Sequence, residues 1–380
     1  MINILHATDR HTRANTGIAF AVNEIIAQTS TKQAECAISL LSVGDTDIGL
    51  PSGARHFCSK PSLRASGPWR YAPGYARLCK QIVDEQKIDV VHIHGVWPHA
   101  VFAAQRAASR MGIPTVLTNH GQFTPWALRQ PNMLGALRKR LYLALMTDRL
   151  FQRVSVLHAI TRLDREALHG LFSRSRIEVI PNSIDLAKLD GSAIGTSPNS
   201  APYALFVGRL HPVKGLDLLI EAFGRAALPP DYRLIIVGPE EVPDYAIFLR
   251  KLIAASSRAN RIELRGSIWD AADKYALMRN AWVTVVPSHT EVMSLVNLES
   301  SGCRTPTITT RATGLFDWED GGGVLVEPTV SSIEKALSAS ACWSDAERYQ
   351  RGQASRQLVE QRYSTTATAP RWMELYRSLI

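Results

Sequence analysis

Val285-Val-Pro-Ser-His-Thr-Glu291-Val-Met-Ser-Leu-Val-Asn-Leu-Glu299-Ser-Ser-Gly302 reads as a strand that ends in a polar turn and runs straight into a helix. Leu295, Val296 and Leu298 give that helix a buried side, and Gly302 followed by Pro306 supplies the stop. The stretch also carries two carboxylates. With Glu291 in the N-terminal region of the helix and Glu299 in its body, eight positions advance the chain by two turns and about 12 Å. Both can then lie on one face and hold two ends of one long ligand. The competing reading makes Glu291 a first-turn acid complementing the helix dipole and Glu299 a solvated helix residue.

The same alternation extends in both directions. Residues 203–209 (Tyr-Ala-Leu-Phe-Val-Gly208-Arg209) form a strand, His211-Pro-Val-Lys214-Gly215 a loop, and 216–226 an amphipathic helix. Strands at 234–238, 261–266 and 282–287 follow, and a helical series runs from 331 to Ile380. On the N-terminal side, strands at 2–7, 37–43, 90–95, 115–121, 154–160 and 177–185 repeat the pattern, with Gly17 opening a helix after a polar loop. Residues 186–202, rich in Ser, Gly, Ala and Pro, read as a linker. The expected fold is α/β, with two Rossmann-like domains facing a central cleft and C-terminal helices. Residues 1–190 are expected to form an acceptor-binding domain, 201–365 a nucleotide-binding domain, and 366–380 a helix that packs back on the first domain.

Composition sets the class. The chain has 380 residues, 46% hydrophobic and 20% charged, as expected of a soluble globular protein. No apolar run approaches the length of a membrane span, and the first ten residues lack the basic and apolar regions of a signal peptide, which leads to a cytoplasmic expectation. Five scattered cysteines without a C-x-x-C pair indicate reduced core thiols and neither a disulfide framework nor a zinc site. The net charge of +9 lies entirely in residues 1–190, where 23 basic residues face 14 acidic ones. Such a field favours an anionic partner: a phospholipid surface, a pyrophosphate-linked molecule or nucleic acid. Lys60, Arg64, Arg70, Arg77 and Lys80 interleave with Trp69, Tyr71 and Tyr75, and residues 126–153 mix arginines with leucines at helical spacing. These stretches suit an anionic bilayer, or equally a solvated face packed on its own domain. Asp45-Thr-Asp47 has a metal-binding reading, but beside Gly44 and Gly49 it is ordinary turn chemistry.

In open α/β sheets the ligand crevice lies beyond the C-terminal strand ends, so His94 and His120 are expected to point toward it. The loop at Gly17 can bring backbone N–H groups to a phosphate. Arg209 and Lys214 flank a loop that enters a helix near Gly215, and two cations beside a helix N-terminus suit a diphosphate without metal. Departure of a nucleoside diphosphate develops negative charge that such cations stabilise, while the carboxylates grip hydroxyls.

The series Gly208-Arg209-Leu-x-x-x-Lys214-Gly215, Glu291-x7-Glu299, Thr-Asn-His120-Gly121, Val-Ile-Pro-Asn182-Ser-Ile-Asp185 and the Gly17 loop resembles the retaining family-4 (GT4-like) glycosyltransferases, which have the two-domain GT-B fold. The order and spacing run over nearly the whole chain. The resemblance implies that Arg209 and Lys214 hold the donor's diphosphate, that Glu299 binds the ribose hydroxyls, and that Glu291 with the backbone amides of Met293, Ser294 and Leu295 contacts the donor sugar or phosphates. It places His120 near the sugar's hydroxymethyl group and the acceptor, the Gly17 loop near the phosphates, and Gly266, Ser267 and Ile268 at the base. His120, Glu291, Arg209 and Lys214 are its expected catalytic group. No metal or other cofactor is expected beyond the sugar-nucleotide donor. Transfer with retention, by same-face attack with the leaving phosphate helping to deprotonate the acceptor, also follows from the resemblance.

Three positions depart from the family's pattern. Val292-Met293-Ser294 stands where Gly-Phe-Gly is common, Thr16-Gly17 where Gly-Gly is usual, and Asn182-Ser183 where Asn-Gly is frequent. Two missing glycines narrow the space beside the donor sugar and put its identity in question. The basic, amphipathic N-terminal half points to a lipid-linked or polysaccharide acceptor in lipopolysaccharide or exopolysaccharide assembly, on the inner face of the cell membrane. A soluble polyol or sugar phosphate is the nearest alternative acceptor. A nucleotide-sugar epimerase on a similar scaffold and a basic nucleic-acid-binding protein are the readings from other classes. The latter lacks any nucleic-acid motif, so nucleic acid is not an expected partner.

Overall fold

Short runs of Val, Ile and Leu become strands covered on both faces, because a parallel sheet buries both of its sides. A computed structural model of the chain describes residues 1–12, 16–30, 35–60, 71–123, 137, 141, 151–190 and 201–380. It divides into two units, Met1–Asn182 with Thr368–Ile380, and Ser183–Ala367.

In the first unit, β1 (Ile2–Ala7), β2 (Cys36–Val43), β3 (Arg55–Ser59), β4 (Val90–His94), β5 (Thr115–Thr118), β6 (Val156–Ala159) and β7 (Ile177–Val179) form a parallel sheet in the order β3-β2-β1-β4-β5-β6-β7. Helices α1 (Thr16–Ser30), α2 (Tyr75–Glu85), α3 (His99–Arg110) and α4 (Arg162–Leu171) connect them. The period-two alternation of a strand sends neighbours to opposite faces. Leu5, Val91 and Leu117 pack with Ile82 and Ala104 on one side. Ile4, Val90 and Val116 pack with Ile26, Trp372 and Tyr376 on the other.

The second unit repeats the plan. After α5 (Leu186–Asp190), strands β8 (Tyr203–Val207), β9 (Arg233–Val237), β10 (Ile262–Arg265), β11 (Val283–Val286), β12 (Thr307–Thr310) and β13 (Val324–Val326) are ordered β10-β9-β8-β11-β12-β13. Helices α6 (Leu216–Arg225), α7 (Pro243–Ala255), α8 (Ala271–Asn280), α9 (Leu295–Gly302), α10 (Val330–Ala341) and α11 (Asp345–Arg362) complete it.

Several expectations change. In the stretch 177–185, read as a strand ending in a turn, the strand is β7, Ile177–Val179. Ile184 bridges Ser364, its N–H reaches the Tyr363 carbonyl at 3.0 Å, and Leu189 packs against Gly302. Residues 183–190 therefore belong to the second unit, and the expected boundary at 190 moves to 182. Strands β3, β12 and β13 were not among the expected strands. β3 is a half-exposed edge, and β13 has three residues. In β12 the buried threonines are satisfied from distant positions, as where Asn297 Nδ2 donates to Thr309 Oγ1 at 2.8 Å. Tyr75, in the stretch that suited either a bilayer or a face packed on its own domain, packs on its own domain: it is fully buried, and its hydroxyl donates to the Thr8 and Leu41 carbonyls at 2.8 and 3.0 Å. Not all cysteines are core thiols: Cys58 and Cys342 are exposed. Residues 61–70, nearly all of 126–150 and 191–200, the centre of the expected linker, lie outside the described residues. No helix among the described residues is long and apolar enough to cross a membrane.

Candidate active site

The strand order of the second sheet reverses between β8 and β11, and in open α/β sheets ligands bind beyond the strand ends at such a point. Three loops meet there, backbone against backbone. Gly215 has φ of 64°, and a Cβ on it would lie 2.3 Å from the Pro287 carbonyl oxygen. Gly238 has φ of 152°, and its Cβ would lie 1.8 Å from the Gly208 oxygen. Only glycine permits these approaches. The His289 N–H donates to the Val213 carbonyl at 2.9 Å, tying the loop after β11 to the single 3₁₀ turn Pro212–Lys214.

That contact brings together charges far apart in sequence. Lys214 Nζ lies 2.8 Å from Glu291 Oε1, with the two side chains 20% and 12% exposed, and the Ser288 hydroxyl donates to the same oxygen at 2.6 Å. Glu291 is not helical: α9 begins at Leu295, and the Glu291 N–H is drawn to the Ala312 carbonyl at 3.2 Å. The one-face helical placement of Glu291 and Glu299 is therefore replaced by a loop carboxylate and a helix carboxylate. Glu299 meets Lys274 Nζ of α8 at 2.7 Å, a partner without a local sequence signal. Met293 and Ser294 are buried and Leu295 is half-buried at the start of α9. Arg209 is exposed and ion-paired with Glu241. Both expected diphosphate cations thus have carboxylate partners. Gly266, exposed, with half-buried Ser267 and Ile268, forms the loop after β10, and Asp270 caps α8 by accepting from Ala272 and Asp273 N–H at 2.8 and 3.1 Å.

In the first unit the sheet reverses between β1 and β4. His120 follows β5 with φ of 50° and Gly121 with 74°, a left-handed pair that is strained for a histidine. Asn119 holds it: its Oδ1 accepts from the Gly121 N–H at 2.6 Å, and its Nδ2 donates to Asp164 at 3.1 Å. Burial raises the Asp164 carboxyl's pKa, against hydrogen bonds from the Ile160 N–H and Asn119. His120 keeps a partly exposed edge, but His94, expected at the crevice, is buried. Gly17 is exposed in the first turn of α1. The residues before it, 13–15, lie outside the described set.

His94 belongs to a cluster that the sequence reading did not assemble, although His92-Ile-His94 has the strand spacing that puts both rings on one face. Strand register sets His6 opposite His92, and Thr118 between His94 and His158. His6 Nδ1 is 2.9 Å from His94 Nε2, and His94 Nδ1 is 3.2 Å from His120 Nε2. His92 Nδ1 lies 2.8 Å from the Tyr376 hydroxyl and its Nε2 2.7 Å from Thr118 Oγ1. Thr118 Oγ1 is 2.9 Å from His158 Nδ1, and His158 Nε2 is 2.8 Å from the Ile180 carbonyl. Burial pushes all five imidazoles well down, with neighbouring histidines adding to the effect at His6, His92, His94 and His120, so they are neutral at pH 7. Nitrogens of His6, His92 and His94 lie within 4.8 Å of one another, a spacing that could hold a metal ion. All but His6 Nε2 are already hydrogen-bonded, so an ion would have to displace those bonds.

Two family models match the chain: the glycosyl transferase 4-like domain over residues 33–183 and glycosyl transferases group 1 over 192–351. A phosphatidylinositol N-acetylglucosaminyltransferase subunit of Arabidopsis thaliana is 26% identical over 70% of this chain and 58% of its own. A D-inositol 3-phosphate glycosyltransferase of Streptosporangium roseum is 30% identical over 63% of this chain and 58% of its own. The chain thus spans less than two thirds of the length of these relatives. Among solved structures, Anabaena HepE in complex with UDP and glucose superposes with a TM-score of 0.75 at 18% identity, over 100% of both chains, and shares the fold.

Proposed function

The chain belongs to the group 1 and 4-like glycosyl transferases, and from that premise we propose that it moves a sugar from a nucleoside-diphosphate sugar to a hydroxyl acceptor with retention. The observation that carries this reading is the Lys214–Glu291–Ser288 cluster at the strand-order reversal of the second sheet. A diphosphate entering there takes Lys214 and Arg209 as counter-charges in place of Glu291 and Glu241, with the N-terminus of α6 beside it, and needs no metal. Glu291 is then released to the donor sugar with the amides of Met293, Ser294 and Leu295. Glu299, oriented by Lys274, accepts the ribose hydroxyls, and Gly266, Ser267 and Ile268 border the base. On this reading His120 meets the sugar's hydroxymethyl group and the Gly17 loop the phosphates. The leaving phosphate takes the acceptor's proton.

The acceptor we propose is lipid-linked or a growing polysaccharide, in cell-surface glycan assembly at the cytoplasmic membrane face. The support is the excess of positive charge in residues 1–190 and two relatives named for phosphate-bearing compounds. Sedimentation with anionic vesicles at low salt supports this acceptor class, and its absence removes it.

Calorimetry with UDP, GDP and ADP, first without metal and then with magnesium, tests the donor site. One nucleotide should bind, and Lys214→Ala should weaken it by about tenfold to a hundredfold, the worth of a charge-assisted hydrogen bond. If none binds under either condition, the transferase reading is withdrawn.

A further inference from the structure

The buried histidines form two chains of hydrogen bonds. Neutral imidazole carries one N–H and one bare nitrogen, so each link needs one proton and a chain runs in a single direction. The first chain is fixed by a carbonyl. Because Ile180 O can only accept, His158 Nε2 carries the proton and its Nδ1 accepts from Thr118. Thr118 then accepts from His92 Nε2–H, and His92 Nδ1 accepts from Tyr376 O–H. Every member is satisfied.

The second chain runs from His6 through His94 to His120. Its inner end, His6 Nε2, is buried and meets no hydrogen-bond partner among the described residues. A buried N–H without an acceptor is the rarer and more costly state, whereas a bare nitrogen without a donor is more readily tolerated. His6 Nε2 is therefore bare, and His6 Nδ1–H donates to His94 Nε2. His94 Nδ1–H in turn donates to His120 Nε2, which leaves the proton of His120 on Nδ1.

We propose that His6 and His94 are positioning residues that hold His120 as its Nδ1–H tautomer, so that it meets the ligand as a hydrogen-bond donor. The identity of that ligand as a sugar nucleotide rests on the glycosyltransferase reading, but the tautomer does not. A donor at Nδ1 can hold a sugar hydroxyl oxygen, and it cannot take the acceptor's proton. That proton must go to another group, which is the place the leaving phosphate fills.

Long-range proton–nitrogen NMR of the full chain, labelled with ¹⁵N-histidine, reads each tautomer directly. The expected pattern is Nδ1–H at His6, His94 and His120, and Nε2–H at His92 and His158. Nε2–H at His6 or His120 overturns the proposal, as does stoichiometric metal retained at the cluster after chelation. The variant pair His6→Met and His6→Asn supplies the functional arm. Methionine removes the donor, so His120 should populate both tautomers and kcat should fall about tenfold with the donor KM little changed. Asparagine places an N–H where Nδ1 stood and should restore both. An unchanged His120 tautomer in a folded His6→Met variant overturns the proposal, and if that variant does not fold, the wild-type spectrum decides. Failure of the transferase reading shows separately, as absent nucleoside-diphosphate binding beside an intact tautomer pattern.

Discussion

Lowering the pH from 7.5 to 5.5 should selectively destabilise the first unit. His6, His92, His94 and His158 are each at most 1% exposed. Burial, with His11 adding, pushes His6 down to about 3, and burial brings His158 to about 4 and His92 and His94 well below the ordinary value. In the unfolded chain these rings titrate near pH 6.5. Above that pH both states leave them neutral and the shifts contribute nothing. Below it the unfolded chain takes up protons that the folded chain refuses, so stability falls with pH until the folded values are reached. Each ring costs about 1.4 kcal/mol over this interval, and four cost about 5 kcal/mol, set against a typical domain stability of about 5–15 kcal/mol. Asp164, whose carboxyl pKa is raised by burial, works in the opposite direction, but it is one group against four. Hydrogen exchange corrected for its intrinsic pH dependence resolves the effect strand by strand. Protection of Val90–His94 and Thr115–Thr118 should drop by about 10³- to 10⁴-fold. The strands of the second unit, whose His211 and His289 are not buried, serve as the internal control. Equal losses in both units, or none in the first, would refute the reasoning.

Two further perturbations probe separate parts of the site. Glu299→Gln keeps the shape but removes the charge that Lys274 holds at 2.7 Å. Binding of the preferred ribonucleoside diphosphate should weaken about tenfold or more, and its advantage over the 2′-deoxy form should shrink, as read by calorimetry. Undiminished discrimination would move the ribose elsewhere. Asp164→Ala strips the buried acceptor from the Ile160 N–H and from Asn119 Nδ2, which should cost about 2–3 kcal/mol in urea unfolding and loosen the left-handed His120–Gly121 pair. A loss below about 0.5 kcal/mol would show that Asn119 holds the turn alone.

Much of the architecture was legible because local pattern encodes burial. The apolar runs that became β1, β4, β8, β9 and β11 need no distant partner to be recognised, and the helix after Gly215 declares itself by its own periodicity. Where a segment's structure depends on a distant bond, the pattern misled. Glu291 looked like part of a helix's N-terminal region, yet it is held out of the helix by Ala312, Lys214 and Ser288. In β12, which was not among the expected strands, the threonines bond Asn297 and Trp318 on other elements.

The sequence by itself determined the alternation of strands and helices, the glycines at the tight loops, and the inventory of charges at strand ends. Those follow from side-chain periodicity and backbone sterics, which act over a few residues. Only the tertiary structure decided which polar groups meet. Lys214 and Glu291 are 77 positions apart, and His92 and Tyr376 are 284 apart. The first pair meets because the strand order sets β8 beside β11, so the loops that follow them are neighbours, and the second because the C-terminal helix Thr365–Arg377 packs on the face of the first sheet.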